Sequence, residues 1–131
     1  FLPGYDEIRS DNGEFEDYEF VFVLDCGDEE RCGKYKRILH TGKTVINIDH
    51  HISNNSFGNI NLIEPEASSV GEMIYNILKA ANCSISKDTA VCLYTSILTD
   101  TGGFKYSNTK RKTLYIVGEL IHTGIDFTKV Y

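Results

Sequence analysis

Apolar positions fall into two patterns along this chain: unbroken runs in the first half and helical spacing in the second. Residues 20–24 read FVFVL, a continuous aromatic and β-branched run that ends at Asp25. A run of this length without polar alternation predicts a strand covered on both faces, as in a parallel sheet. Residues 44–48 (TVINI) predict a second such strand, ending at Asp49. Between them, residues 28–39 predict a helix with Lys34, Lys36 and Arg37 on its wet side, stopped near Gly42. Residues 1–19 carry no sustained period and read as a lead-in; residues 51–61 read as a polar loop. Ser69 and Glu72 have capping-box spacing, and Val70, Ile74, Ile77, Leu78 and Ala81 follow at helical intervals. A further helix opens at Ser86 or Lys87, runs through Val91, Leu93, Tyr94, Ile97 and Leu98, and breaks at Gly102 and Gly103. Asn108 or Thr109 is expected to cap a last helix, with Leu114, Val117, Leu120 and Ile121 inward and Gly124 at its exit. Strands alternating with helices predict an α/β fold, a mostly parallel sheet with flanking helices, over one domain spanning residues 1–131.

Composition narrows the class. With 131 residues and 41% hydrophobic content, the chain has material for one core. No stretch approaches the roughly 20 apolar residues that cross a bilayer, and no secretory pattern opens the chain. A cytoplasmic protein without membrane contact is expected. Phe1 is not an initiator methionine, so residues are expected to precede it in the parent protein. The formal charge of -6 argues against long-duplex binding, which needs many cations on phosphates. Small phosphorylated ligands remain open, because a metal or local cations offset charge locally. Cys26, Cys32, Cys83 and Cys92 contain no CxxC pair, so reduced, mostly buried thiols are expected in place of a zinc module.

The chemistry gathers at the strand ends. Asp25 and Asp49 each follow an apolar run, and in open α/β sheets ligands bind at that edge. A single acid there is often a turn residue. The triplet Asp49-His50-His51 is rarer, and its imidazoles and carboxylate suit divalent metals of the manganese or zinc type. Adjacent residues point in different directions, so one histidine is expected on metal and the other toward substrate, with Asp49 orienting a ligand histidine. Asp100 sits in Thr99-Asp100-Thr101-Gly102-Gly103, either a plain helix end or a ligand beside backbone that approaches phosphate closely. Ser68 and Ser69 either cap the next helix or offer hydroxyls and N–H groups to an anion. His40 and His122 stand apart; His122 is placed to meet a helix dipole. Arg31, Lys34 and Lys36 read as a solvated face before they read as phosphate-steering cations.

In order and spacing, Val23-Leu24-Asp25-Cys26, Asp49-His50-His51, Glu64-Pro65-Glu66-Ala67-Ser68-Ser69 and Thr99-Asp100-Thr101-Gly102-Gly103-Phe104 resemble the DHH phosphoesterase family over nearly the whole chain. The segments LDCGDEER and TDTGGF look most like its bacterial oligoribonuclease and 3′-phosphoadenosine-5′-phosphate phosphatase branch. The resemblance implies two divalent metal ions, manganese first, with magnesium or cobalt as alternatives. It implies that Asp25 bridges the metals, that His50 and Asp100 complete the set, and that His51 faces the substrate phosphate with Asp49 behind the histidine pair. Ser68, Ser69, Gly102 and Gly103 are the further phosphate candidates. Short single-stranded oligonucleotides or nucleotide phosphates are the implied substrates.

The family's first motif, a histidine and two aspartates after an earlier strand, has no counterpart ahead of Asp25. Asp6, Asp11 and Asp17 lie in the wrong apolar context for it. The chain is therefore expected to be a middle piece of a larger enzyme, with weakened metal binding, little or no hydrolysis, and an exposed sheet edge open to homodimer formation. A cyclic-dinucleotide phosphodiesterase and an inorganic pyrophosphatase share these motifs. A noncatalytic nucleotide-binding or scaffold domain is the alternative of another class.

Overall fold

The computed structural model describes residues 2–9 and 18–130. Asp11 and Asp17, set aside above, lie outside the described residues. Two compact units emerge, one of Arg9–Pro65 and one of Phe1–Ile8 with Glu66–Tyr131.

The first unit is built on three parallel strands in the order β1-β2-β3, with β1 at Phe20–Leu24, β2 at Thr44–Asp49 and β3 at Ile60–Ile63. Val21 pairs with Val45 and Leu24 with Ile48; Ile46 pairs with Ile60 and Asp49 with Ile63. The central strand is the buried one, with Val45 and Ile48 in the core beside Ile38. Strand β3 falls partly within the segment expected to be a loop. Its four residues, INLI, are too short to carry a period, and pairing with β2 is what makes them a strand.

Strand β1 departs from expectation in another way. Phe20, Phe22 and Leu24 are 54%, 61% and 48% exposed, so one face of this run is open among the described residues. Asp25 N–H donates to the Ile48 carbonyl and Thr44 N–H to the Glu19 carbonyl. Odd-numbered residues therefore bond β2, and the N–H and C=O groups of Phe20, Phe22 and Leu24 point to the free edge. An apolar run reports that a strand is suited to burial; it does not report what lies against it.

The segment joining β1 to β2 is helical but not one helix. A 3-10 stretch, Glu29–Tyr35, leads into a single turn, α1 (Lys36–Leu39). Asp28 caps it by accepting the Glu30 N–H. Gly33, at φ 55 and ψ -129, interrupts the helical path, a conformation that a glycine reaches without steric cost. Lys36 pairs with Glu29 and Glu30, as a solvated face would.

The second unit is helical: α2 (Val70–Ala80), α3 (Lys87–Asp100) and α4 (Arg111–His122). Tyr75, Ala90, Leu93, Tyr94, Ile97, Ile116, Val117 and Leu120 lie in its core. Leu114, expected inward, is instead 53% exposed, because α4 turns Thr113, Ile116, Val117 and Leu120 to the core. The Tyr5–Glu7 turn belongs to this unit, and Cys92 Sγ donates to the Pro3 carbonyl. Helix α3 begins where Ser86 accepts the Thr89 N–H. Helix α4 starts after Lys110, later than the expected cap; its first turn is tied by Lys110 N–H donating to Thr113 Oγ1. At α2 only half of the expected capping box forms. Ser69 Oγ accepts the Glu72 N–H, but the Glu72 carboxylate reaches one residue further back, to the N–H and hydroxyl of Ser68. No helix among the described residues is long and apolar enough to cross a membrane.

Candidate metal centre

Asp25 is the first residue beyond β1 and holds φ 57. That left-handed conformation is uncommon for a residue with a side chain, is best tolerated by Asp and Asn, and gathers at functional sites. It turns the chain at the rim while the Asp25 N–H still extends the ladder to Ile48. On the neighbouring strand, β2 delivers Asp49, His50 and His51 to the same rim. His50 Nε2 lies 3.4 Å from Asp25 Oδ1, and His51 Nδ1 lies 3.8 Å from it. Asp25, His50 and His51 each present one ligand atom, all within 4.8 Å of one another. The rings of His50 and His51 meet edge-on, with centroids 5.1 Å apart.

This set fits a divalent cation. One carboxylate oxygen and two imidazole nitrogens are the donors that manganese- and zinc-type ions accept, and Asp25 stays half exposed, open to a further ligand. Asp49 plays a different part. It is fully buried, its Oδ1 sits 2.6 Å from His51 Nδ1, and its Oδ2 accepts from Asn54 Nδ2 at 2.6 Å. Burial alone would push its carboxyl up; the hydrogen bonds from Asn54 and His51, with the charge of His51, outweigh that and hold it below the ordinary carboxylate range. A carboxylate on one ring nitrogen fixes the ring and assigns the other nitrogen to an outside partner.

Two asparagines that the sequence reading did not single out build the frame. Asn47 is fully buried in the middle of β2, and its amide donates to the carbonyls of Val23 and Cys26. Asn54 donates to Asn47 Oδ1 at 2.8 Å and to the Cys26 carbonyl at 3.3 Å, as well as to Asp49. Together they tie the end of β1 to the start of the loop after β2. Gly27 belongs to the same knot: a Cβ there would stand 3.4 Å from Asp49 Oδ2 and 3.5 Å from His51 Cβ. A signal for Asn47 was present, because an amide interrupting an apolar strand must find buried partners. Asn54, one polar residue in a polar loop, gave none.

Asp100 lies in the other unit, as the last residue of α3. Its carbonyl accepts from Asn108 Nδ2 at 3.0 Å, and the same amide donates to the Ser68 carbonyl. Beyond it, Gly102, Gly103 and Phe104 all take positive φ. A Cβ on Gly102 would meet the Tyr106 ring at 2.4 Å, so side chain and backbone alike demand glycine. The buried Thr101 hydroxyl donates to the Ile97 carbonyl and accepts the Phe104 N–H, closing the turn. Ser68 and Ser69 are fully buried, and capping together with the Glu72 contact accounts for both hydroxyls. In the sheet unit His40 pairs with Glu29, and in the helical unit His122 ends α4. All four cysteines are free thiols, but only Cys26 is buried; Cys83 is exposed, against the expectation of mostly buried thiols.

Comparison with known proteins agrees with these motifs. The DHH family, N-terminal domain, matches residues 4–97. The chain is 35% identical over 134 aligned residues to the bifunctional oligoribonuclease and PAP phosphatase NrnA of Bacillus subtilis, covering 100% of this chain and 41% of that protein. It is 32% identical to the probable bifunctional oligoribonuclease and PAP phosphatase NrnA of Streptococcus mutans, covering 96% of this chain and 43% of that one. The crystal structure of an exopolyphosphatase-related protein from Bacteroides fragilis superposes with a TM-score of 0.83 at 32% identity, over 88% of this chain and 35% of that one. The chain thus spans about two fifths of the length of these curated relatives.

Proposed function

The chain belongs to the DHH family, and on that premise we propose that it supplies metal-holding residues of a phosphoesterase acting on short oligoribonucleotides or 3′-phosphoadenosine-5′-phosphate. One observation carries the reading. Asp25, His50 and His51 come from two adjacent parallel strands and offer three ligand atoms within 4.8 Å at one rim. Asp25 and His50 hold the ion, while His51, the third member of the cluster and engaged by Asp49 through Nδ1, is kept for the substrate phosphate. Asp100 is added on the strength of the family pattern. Divalent cations bound in such a site acidify a water and offset the charge of a phosphate under attack; manganese heads the candidates, with magnesium and cobalt behind it.

The chain's own residues do the positioning. Asp25, turned at positive φ, places its carboxylate beside His50 Nε2 without lengthening the strand. The Asp49 carboxylate accepts a hydrogen bond from His51 Nδ1–H, which turns Nε2 toward a phosphate oxygen. Asn47 and Asn54 keep the two strand ends in register, so the ligand groups are held in place before an ion arrives. Gly102 and Gly103 are the backbone candidates for phosphate contact.

The test is Asp25→Asn in the intact enzyme, read by calorimetric Mn2+ titration and by turnover of pApA, 3′-phosphoadenosine-5′-phosphate, a cyclic dinucleotide and pyrophosphate. The expected result is a loss of Mn2+ affinity of about tenfold or more, with hydrolysis of the first two substrates lost alongside it. Unchanged Mn2+ affinity would remove Asp25 from the metal set. Turnover confined to the cyclic dinucleotide or pyrophosphate would replace the substrate assignment.

A further inference from the structure

The proposed phosphoesterase reading makes no use of the two thiols beside the centre. Cys26 follows Asp25 directly, and its Sγ lies 3.7 Å from Cys32 Sγ with no bond between them. A disulfide holds its sulfurs about 2.05 Å apart, so closure asks for a movement of about 1.7 Å. The two ends of that movement are unequally held. Cys32 lies in a 3-10 segment immediately before Gly33, whose positive φ already breaks the helical path, and it is partly exposed. The Cys26 carbonyl, in contrast, receives the side-chain amides of Asn47 and Asn54, and its thiol donates to the Asp28 carbonyl at 3.1 Å. A bond drawn between them is therefore met by movement of the Cys32 segment, while Cys26 stays anchored beside Asp25.

We propose that Cys26 and Cys32 form a reversible oxidation site, in which a hydroperoxide joins them as a disulfide and the new bond draws the Cys32–Gly33 turn toward the anchored Cys26. Formation of this bond does not depend on the metal reading above. The chemistry balances with the hydroperoxide as the named oxidant. One sulfur, giving up its proton, attacks the outer peroxide oxygen; the O–O bond breaks, an alcohol or water leaves, and a sulfenic acid remains. The second sulfur, giving up its proton, attacks the sulfenic sulfur and expels water. Two electrons pass from the sulfurs to the peroxide, and one S–S bond replaces two S–H bonds. Burial first, then the hydrogen bond with Cys26, pushes the Cys32 thiol up to about 11. Cys32 is thus protonated at neutral pH, which matches a pair that rests reduced and reacts slowly.

The experiment uses the full chain with Cys83→Ser and Cys92→Ser, which removes the other two thiols. Hydrogen peroxide is added, the bonds are mapped by mass spectrometry, and the backbone amide resonances of Gly33 and Asp25 are followed by NMR. The expected result is a Cys26–Cys32 cross-link reversed by dithiothreitol, with the Gly33 resonance displaced more than that of Asp25. Adding Cys32→Ser abolishes the peroxide-induced cross-link, with Cys26→Ser as the second variant should the first fold poorly. Oxidation that halts at sulfinic acid, or a cross-link that leaves Gly33 unmoved, overturns the proposal.

Discussion

Among the described residues, the sheet unit and the helical unit each bury one carboxylate, and the two settings differ in what the charge accomplishes. Asp49, fully buried, is held by His51 and Asn54, groups that reach the rim where Asp25 and His50 meet. Glu72, 3% exposed, is held by the hydroxyls of Ser68 and Thr113, with Lys112 nearby at 3.4 Å. In both, burial pushes the carboxyl up and the hydrogen-bond donors outweigh it, so both stay ionised below the ordinary range. The electrostatic solution is shared. One instance orients an imidazole; the other ties the start of α2 to the first turn of α4. The surroundings differ accordingly: the helical unit closes a continuous apolar core, whereas the sheet unit places Asn47 and Asp49 at buried positions of its central strand and leaves Phe20, Phe22 and Leu24 of β1 outside. Buried polar groups positioned this way cost stability unless each finds a partner, and here they gain a rim of fixed geometry.

The comparison breaks first in the helical core. Leu120→Ala, at a side chain with no exposure, should lower unfolding free energy by about 2–5 kcal/mol in urea titration; a loss far below that would mean the core is not closed there. Next come paired substitutions, Asn47→Leu and Thr113→Val, each expected to cost about 1–3 kcal/mol by stranding buried partners. Only Asn47→Leu should also lower Mn2+ affinity. An equal loss in Thr113→Val would erase the division of labour between the two carboxylates.

A pH series sharpens the same point. Both folded-state values lie below the ordinary 3.8 of Asp and 4.5 of Glu. Their stabilising contribution is therefore complete above those ordinary values and is lost as pH falls through the lowered folded ones. The urea midpoint should hold steady in this respect at neutral pH and fall on acidification below about 4.5, with Glu72→Gln flattening part of that acid limb. A midpoint that rises on acidification would show the sign to be wrong. The smallest effect is expected at Phe22, 61% exposed. Phe22→Lys should shift stability by no more than about 0.5 kcal/mol, and in light scattering should reduce any self-association through the open edge of β1. A cost of several kcal/mol would show that this face is covered.

Much of this was written in the chain itself. Helical spacing determined that α2 and α3 are helices and which side of α3 faces inward, because a 3.6-residue period records which side of a helix avoids water. In α2 the buried side chains include Met73 and Tyr75, outside the expected set, while Ile77 is exposed. The runs FVFVL and TVINI determined two strands, and the acid and histidines at their ends marked the rim as a candidate cation site. Tertiary structure decided the rest. It made a strand of Ile60–Ile63 by pairing it with β2, since four residues hold no period of their own. It left Phe20, Phe22 and Leu24 open, because an apolar residue is suited to cover without specifying it. It also set Asn54 against Asn47, Asp49 and Cys26, and Asp25 against His50, contacts between residues as many as 28 positions apart. Strand register brings such pairs together, and register belongs to the folded chain, with no mark in local sequence.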